Sequence, residues 1–270
     1  MNVMNVQLNL FPGGVSKAMT LSYDDGREHD RQLVEIMNRY GIKGSFHLNS
    51  GFLGKDRYVT ADEVSNLYKG HEVSAHTSTH PFLEIIPREG VVMQLLEDRK
   101  QLEKLVGYPI RGMSYPYGTY NDNVLAMLPG LGIEYSRTTR SHGTFELPTK
   151  WTEWHPTCHH RDMLKLGKDF LDKKASNSSM QLLYVWGHSY EFNDNNNWED
   201  IEHFCDLMGN RQDIWYATNI EIVDYIRALK ELRFTVSQTS VYNPSAIDVW
   251  ISVHGEPCKV SAGHTATIGE

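Results

Sequence analysis

Two adjacent carboxylates, Asp24 and Asp25, end an apolar β-type run in the stretch LSYDDG (residues 21–26). A solvated turn would account for such a pair, because Asp-Gly dipeptides commonly close strands. Further along, HEVSAHTSTHP ends a second β-type run at His76 and sets His80 four positions later. Two imidazoles at that spacing can grip one cation from one face of a helical turn, although Pro81 disfavours helical geometry at His80 and makes a tight loop an equal alternative. One carboxylate with two histidines is a ligand set of catalytic zinc sites, where the cation lowers the pKa of a water to about 7. Such a set needs only one aspartate, so the other is free to take a proton from that water. The cation also keeps the second carboxylate ionised, which removes the cost that makes two like charges at a strand end look odd.

Both pieces serve this chemistry only if they sit at the carboxyl ends of neighbouring strands, the rim where parallel α/β folds build their sites. The chain supplies that frame. Apolar β-type runs alternate with amphipathic stretches from about residue 17 to 234, the signature of repeated strand–helix units. Seven strands are expected, at 17–23, 43–48, 71–76, 110–115, 133–137, 182–188 and 214–218. Helix candidates such as DRQLVEIMNRYG and GVVMQLLEDRKQLEKLVG lie between them, each stopped by glycine, and TADEV has Thr60 and Glu63 in capping-box spacing. Seven such strands suggest an α/β barrel one unit short of eight, although periodicity fits a doubly wound open sheet equally well. Residues 138–160 read as a long insertion with little periodicity, and such loops tend to be functional. Residues 235–270 lose the helical period and read as a short β tail packed on a catalytic domain formed by 1–234.

Composition narrows the partners. With 26 basic against 34 acidic residues the formal charge is −8, which argues against a nucleic-acid footprint or an anionic membrane surface. No apolar run approaches the roughly 18 residues that span a bilayer, and no leader of the secretory kind is visible, so the expected location is cytoplasmic. Cys158, Cys205 and Cys258 are odd in number and far apart, and suit neither a disulfide framework nor a Cys-x-x-Cys zinc site. Oligomeric state is not legible.

Taken in order, LSYDDG, HTSTH, YPYG and WGH resemble the motifs of the metal-dependent polysaccharide deacetylases, also called the NodB-homology domain or carbohydrate esterase family 4. The resemblance covers roughly residues 15 to 235. It implies a distorted seven-stranded (β/α) barrel that removes acetyl groups from an acetylated carbohydrate with one divalent metal, usually Zn2+. It further implies Asp24 as general base, Asp25, His76 and His80 as metal ligands, and Thr77 as a brace of the histidine loop. Tyr117 would offer its backbone N–H to the oxyanion, and His188 would protonate the leaving group. Two departures stand out. The third motif begins with Ser114 where the family has a base-orienting arginine, and Arg137, at the end of the next strand, is the candidate replacement. The family's acid-and-tryptophan motif, which tunes the acid histidine, is not recognisable.

Unmatched segments are the candidates for substrate contact. Trp151 and Trp154 in the insertion could stack on a sugar ring, and Tyr115, His159 and Glu191 are further candidate contacts. His159 and His160 follow Cys158, and this CHH invites a second metal site, but no spaced partner is visible. Two other functions remain open on the same residues: hydrolysis of a non-sugar amide such as a cyclic amide or formamide, and non-catalytic sugar binding.

Overall fold

The computed structural model describes residues 5–174 and 179–269. The first described strand is β1 (Val6–Gln7), and the repeating part follows it. Its strands there are β2 (Lys17–Asp25), β3 (Gly44–Leu48), β4 (Glu72–Ala75), β5 (Gly112–Ser114), β6 (Tyr135–Arg137), β7 (Cys158–His159), β8 (Gln181–Gly187) and β9 (Ile214–Tyr216). The helices are α1 (Asp30–Arg39), α2 (Val64–Leu67), α3 (Arg88–Val106), α4 (Asp122–Met127), α5 (Met163–Asp172), α6 (Ser189–Asp194), α7 (Trp198–Met208) and α8 (Asn219–Glu231). The Thr60–Glu63 capping box forms ahead of α2, and Gly107 closes α3 in the left-handed conformation that a residue without Cβ adopts readily. Among the described residues no helix is long and apolar enough to cross a membrane.

The pairing gives a parallel sheet in the order β6-β5-β4-β3-β2-β8-β7, curled into an α/β half-barrel as expected. Two elements differ from the sequence reading. The strand expected at 214–218 is present as β9, but it pairs only with Lys17–Met19 at the start of β2, on the edge that β3 takes from Leu21 onward. It therefore lies away from the rim. The insertion, in turn, is not peripheral. Trp154 bridges to Arg137 of β6, and Cys158–His159 pair with Val185–Trp186 of β8, so the segment 154–159 joins the two ends of the curl. Its pairing is too short to leave a hydrophobic period, which is why it read as loop.

Alternation along the strands explains the rest. Leu21, Tyr23, Phe46, Leu48, Val73 and Ala75 pack outward with Leu33 and Met37 of α1 and Leu95 and Leu102 of α3, as period-two strands covered by helices should. Their neighbours point inward and are polar. His47 Nε2 meets Ser22 Oγ at 3.0 Å, Ser45 Oγ donates to Glu72 at 2.7 Å, and the Tyr135 hydroxyl donates to Glu72 at 2.8 Å. The lumen is thus a buried hydrogen-bonded column rather than the branched apolar packing usual in barrels. Buried polar groups are tolerated there because they satisfy one another.

The tail forms β10 (Arg233–Phe234), β11 (Ser240–Tyr242), β12 (Val249–Val253), β13 (Glu256–Val260) and β14 (Thr265–Thr267), arranged as the antiparallel sheets β1-β12-β13 and β10-β11-β14. Val249 and Ile251 share a core with Ile222, Tyr225 and Ile226 of α8. The boundary at residue 234 stays our proposal; in space, β1 and β10 join the sheets of the tail.

Candidate active site

The site is assembled on the rim where β2, β4, β5, β6 and β8 end. Alternation turns Asp24 into the lumen, 2% exposed, while a positive φ of 79° at Asp25 swings the next carboxylate over the rim. Thr77, His80 and Tyr117 also have φ between 56° and 65°. Left-handed geometry costs a non-glycine residue about 1–2 kcal/mol, so something must hold each of them.

For the histidine loop the holding groups are visible. Asn49 Nδ2 donates to the carbonyls of His76 (2.6 Å) and Thr77 (2.8 Å), and Thr77 Oγ1 accepts the His80 N–H at 3.1 Å. Behind the loop, the buried Asp98 of α3 accepts the backbone N–H groups of Ser50 (2.7 Å) and His76 (2.9 Å). Burial pushes the Asp98 carboxyl up to about 7 against these hydrogen bonds. His80 is thus in a loop, not a helical turn. Asp98 escaped the sequence reading, yet it left a signal: with Val91, Leu95 and Leu102 it occupies the buried face of α3, where a charged residue needs a reason.

Asp25, His76 and His80 converge. Asp25 Oδ1 lies 3.6 Å from His76 Nε2 and 3.8 Å from His80 Nε2, both beyond hydrogen-bond range. His76 Nδ1 lies 2.9 Å from the Ser114 carbonyl oxygen, which can only accept, and 2.7 Å from Ser114 Oγ, whose one proton goes to Asp24, so Nδ1 carries the proton and Nε2 presents a lone pair to Asp25. One oxygen and two imidazole nitrogens, mutually within 4.8 Å and not bonded to each other, fit the donor set of a divalent cation such as zinc.

Asp24 sits beside this group with its own partners. Ser114 Oγ donates to Oδ1 at 3.0 Å, and the buried Arg137 guanidinium donates to Oδ2. Burial alone would raise the Asp24 carboxyl; Arg137 first, then His76, overrides it and holds the group well below the usual carboxylate range. The guanidinium that the serine motif lacks therefore arrives from the end of β6. Arg137 lies over the Trp186 ring at 4.6 Å, and that ring is 5.7 Å from His188, which joins the two sides of the rim.

On the far side, His188 Nδ1 is 2.5 Å from Glu191 Oε1, while Glu191 Oε2 is 3.3 Å from His159 Nε2 and 3.1 Å from His160 Nε2. The partner that CHH lacked in the sequence is Glu191. Burial works against ionisation of Glu191, but the three imidazoles hold it far below its ordinary value. Burial also lowers His188, yet Glu191 and then Asp24 and Asp25 outweigh it and raise the imidazole.

Several expected substrate contacts are elsewhere. Trp154 is 1% exposed, wedged among Tyr135, Trp151 and Tyr184 as part of the wall that closes the curl. Tyr115 is equally buried and donates its hydroxyl to the Thr152 carbonyl at 2.7 Å. Trp154 reads as a sugar contact because a loop without period looks peripheral, but its bridge to β6 buries it, and the same segment covers the candidate contact Tyr115. Glu191 has both oxygens engaged by imidazoles, and His159 is 7% exposed. What the rim does expose is Tyr117, stacked on Phe82 at 3.7 Å and 4.4 Å from the His80 ring. Gly118 beside it is left-handed, and a Cβ there would collide with Thr139.

Known proteins resemble this chain in part of its sequence and in its fold. The sequence model of the family described as polysaccharide deacetylase matches residues 13–136. A chitin deacetylase from a Pestalotiopsis species is 27% identical over 119 residues, 44% of this chain and 40% of that one. A peptidoglycan-N-acetylglucosamine deacetylase from Bacillus cereus is 28% identical over 123 residues, 43% of this chain and 42% of that one. The matches thus span less than half the length of these relatives. Among solved structures, a Mycobacterium smegmatis protein assigned to the polysaccharide deacetylases superposes with a TM-score of 0.62 at 14% identity, over 82% of this chain and 93% of that one. The Xyl-CE4 domain of a xylanase from the hindgut metagenome of Trinervitermes trinervoides gives 0.57 at 14%, over 79% and 92%. These two likenesses are of fold. Arg137, His159, His160, His188 and Glu191 lie beyond the residues matched by the family.

Proposed function

We propose that the chain is a metal-dependent hydrolase of the polysaccharide deacetylase family, whose sequence model matches residues 13–136, and that it removes an acetyl group, N- or O-linked, from a carbohydrate. One observation carries the reading: a buried aspartate kept ionised by Arg137 stands next to an open set of one carboxylate and two imidazoles. Asp25, His76 and His80 would hold the divalent ion, most fittingly zinc. Once bound, that ion supplies a Lewis acid for the acetyl carbonyl and lowers the pKa of a nearby water.

The chain's own residues do the rest. Asp24 would take a proton from the attacking water, a task that needs the ionised form that Arg137 secures. Ser114 and Arg137 fix the direction of that carboxylate by occupying one oxygen each. Tyr117, left-handed at the rim, would turn its backbone N–H toward the developing oxyanion. His188, raised above its ordinary value and therefore protonated to higher pH, would give a proton to the departing amine or alcohol as the C–N or C–O bond breaks and acetate leaves. The exposed Phe82–Tyr117 pair offers a flat apolar face beside His80 for a sugar ring.

Acetate release from a panel of N- and O-acetylated oligosaccharides, with and without added Zn2+, tests this reading. We expect metal-dependent release, and Asp24→Asn should retain the ion while losing roughly 10²- to 10⁴-fold in kcat, the range that a general base supplies. Release from a cyclic amide or formamide but from no acetylated sugar would move the assignment to another hydrolase on this fold.

A further inference from the structure

The second carboxylate–histidine cluster has a feature that the family match does not reach: three imidazoles share one glutamate. Their tautomers can be read from their other partners. His159 Nδ1 receives both the backbone N–H (3.3 Å) and the Nε–H (3.1 Å) of Arg161. Both groups can only donate, so Nδ1 is a lone pair and Nε2 carries the proton that points at Glu191. His160 Nε2 faces the same oxygen, and its Nδ1 is buried with no partner among the described residues. An unpartnered acceptor is the milder of the two options, so its proton too sits on Nε2. Burial keeps His160 below its ordinary value, in line with a neutral ring. Gly187 is part of the construction: a Cβ there would fall 2.2 Å from His160 Nδ1, so the ring reaches Glu191 only because that residue has no side chain.

A metal centre at this cluster fails on the same grounds, because a nitrogen that carries a proton cannot ligate. What the arrangement does instead is hold Oε2 with two N–H donors and leave Oε1 for His188 Nδ1. Around His188 the facing groups are Asp24 and Asp25 from β2, Glu191 and the Tyr190 ring (5.2 Å) from α6, and the Trp186 ring from β8. Among the described residues only Glu191 bonds to its Nδ1.

We propose that Glu191 is the positioning residue of His188: it fixes the imidazole as the Nδ1–H tautomer with Nε2 turned to the cleft, and His159 and His160 clamp the carboxylate so that it cannot rotate away. This rests on the reading of His188 as proton donor and deepens it. It also assigns the role of the unrecognisable acid-and-tryptophan motif to residues from the closing segment and from α6.

The test is histidine-selective 15N NMR of the whole protein with Zn2+ bound, since nitrogen shifts distinguish Nδ1–H from Nε2–H without substrate. The neutral His188 of the wild type should be Nδ1–H. In Glu191→Gln the amide can donate to Nδ1, so the ring should switch toward Nε2–H. On the preferred acetylated sugar, kcat should fall roughly 10²- to 10⁴-fold with KM and metal content little changed. Glu191→Asp should restore part of the loss. His159→Gln, whose amide can stand in for Nε2–H, should retain more of kcat than His159→Leu. An unchanged tautomer in Glu191→Gln would overturn the proposal, and so would a second divalent ion that Glu191→Gln or His159→Gln removes. A switched tautomer in a protein that deacetylates no sugar would instead refute the deacetylase reading and leave the positioning intact.

Discussion

Two groups of one carboxylate and two imidazoles stand on the same rim, and the second ring nitrogen of a histidine decides what each can do. In Asp25–His76–His80 the separations are 3.6 and 3.8 Å and no proton is shared; in Glu191–His159–His160 they are 3.3 and 3.1 Å and the carboxylate is hydrogen-bonded. His76 gives its Nδ1 proton to a backbone carbonyl and so aims a lone pair at Asp25, whereas His159 takes two donors on Nδ1 and so aims a proton at Glu191. Ligand type alone does not make a metal site. The open group needs an ion to hold its donors together; in the closed group the carboxylate is already held by N–H donors.

The sharpest way to break this contrast is to count ions. Asp25→Ala should abolish binding of one divalent cation per chain and lower acetate release by at least about 10³-fold, the combined loss of a Lewis acid and an activated water. Glu191→Ala should keep the ion. Elemental analysis of both variants after dialysis is sufficient, and an ion lost from Glu191→Ala but not from Asp25→Ala would invert the comparison.

Between the groups, Asp24 offers a test of the next size. Its carboxylate is buried and has one full positive charge against it, from Arg137. Removing one partner of a buried ion pair strands the other, at a cost of about 3–5 kcal/mol. Arg137→Met should therefore destabilise the fold by that amount in chemical denaturation, whereas Arg161→Ala, which removes one of the two donors to His159 Nδ1 at an exposed position, should cost under about 0.5 kcal/mol. Equal effects would mean that Arg137 matters to stability no more than a surface residue.

The two groups were also unequally legible. Asp24, Asp25, His76 and His80 announce themselves because each pair is local in sequence and falls at the end of a period-two strand. Even Arg137 could be named from its place at the end of the next strand. The closed group could not, because Glu191 lies 31 residues from His160 and the strand that brings them together is two residues long. The single bridge from Trp154 to Arg137 leaves no period either, which hid the burial of Trp154 and of Tyr115 beneath the same segment. Asp98 was lost among the many charges of α3, although its position on the apolar face marks it. The polar lumen was present in the alternation of TLSYDD, SFHL and EVSAH, but alternation gives no sign of which face turns inward when helices cover the apolar one.

The smallest predicted effect concerns the carboxyl behind each group. Asp98 stands behind the open group and receives backbone N–H donors, which cannot turn; Asp30 stands behind the closed one and receives the hydroxyls of Ser189 (2.5 Å) and Tyr68 (2.6 Å), which can. Asp98→Asn must set an amide NH2 against a backbone N–H, so about 1–3 kcal/mol of stability should be lost. In Asp30→Asn a hydroxyl can rotate and accept, and the change at pH 5 should stay within about 0.5 kcal/mol. The pH dependence then gives a sign. Burial raises the Asp30 carboxyl to about 7, with the Ser189 and Tyr68 hydrogen bonds opposing it, so between its unfolded value near 4 and about 7 the folded chain holds a proton that the unfolded chain has released. Stability from this group is full at low pH and is lost as pH rises through 7. Asparagine has no proton to lose, so the thermal midpoint of Asp30→Asn relative to wild type should be higher at pH 8 than at pH 5. A difference that stays constant across that range would show that Asp30 does not titrate there, and that the hydroxyls behind the closed group hold it as firmly as backbone holds Asp98.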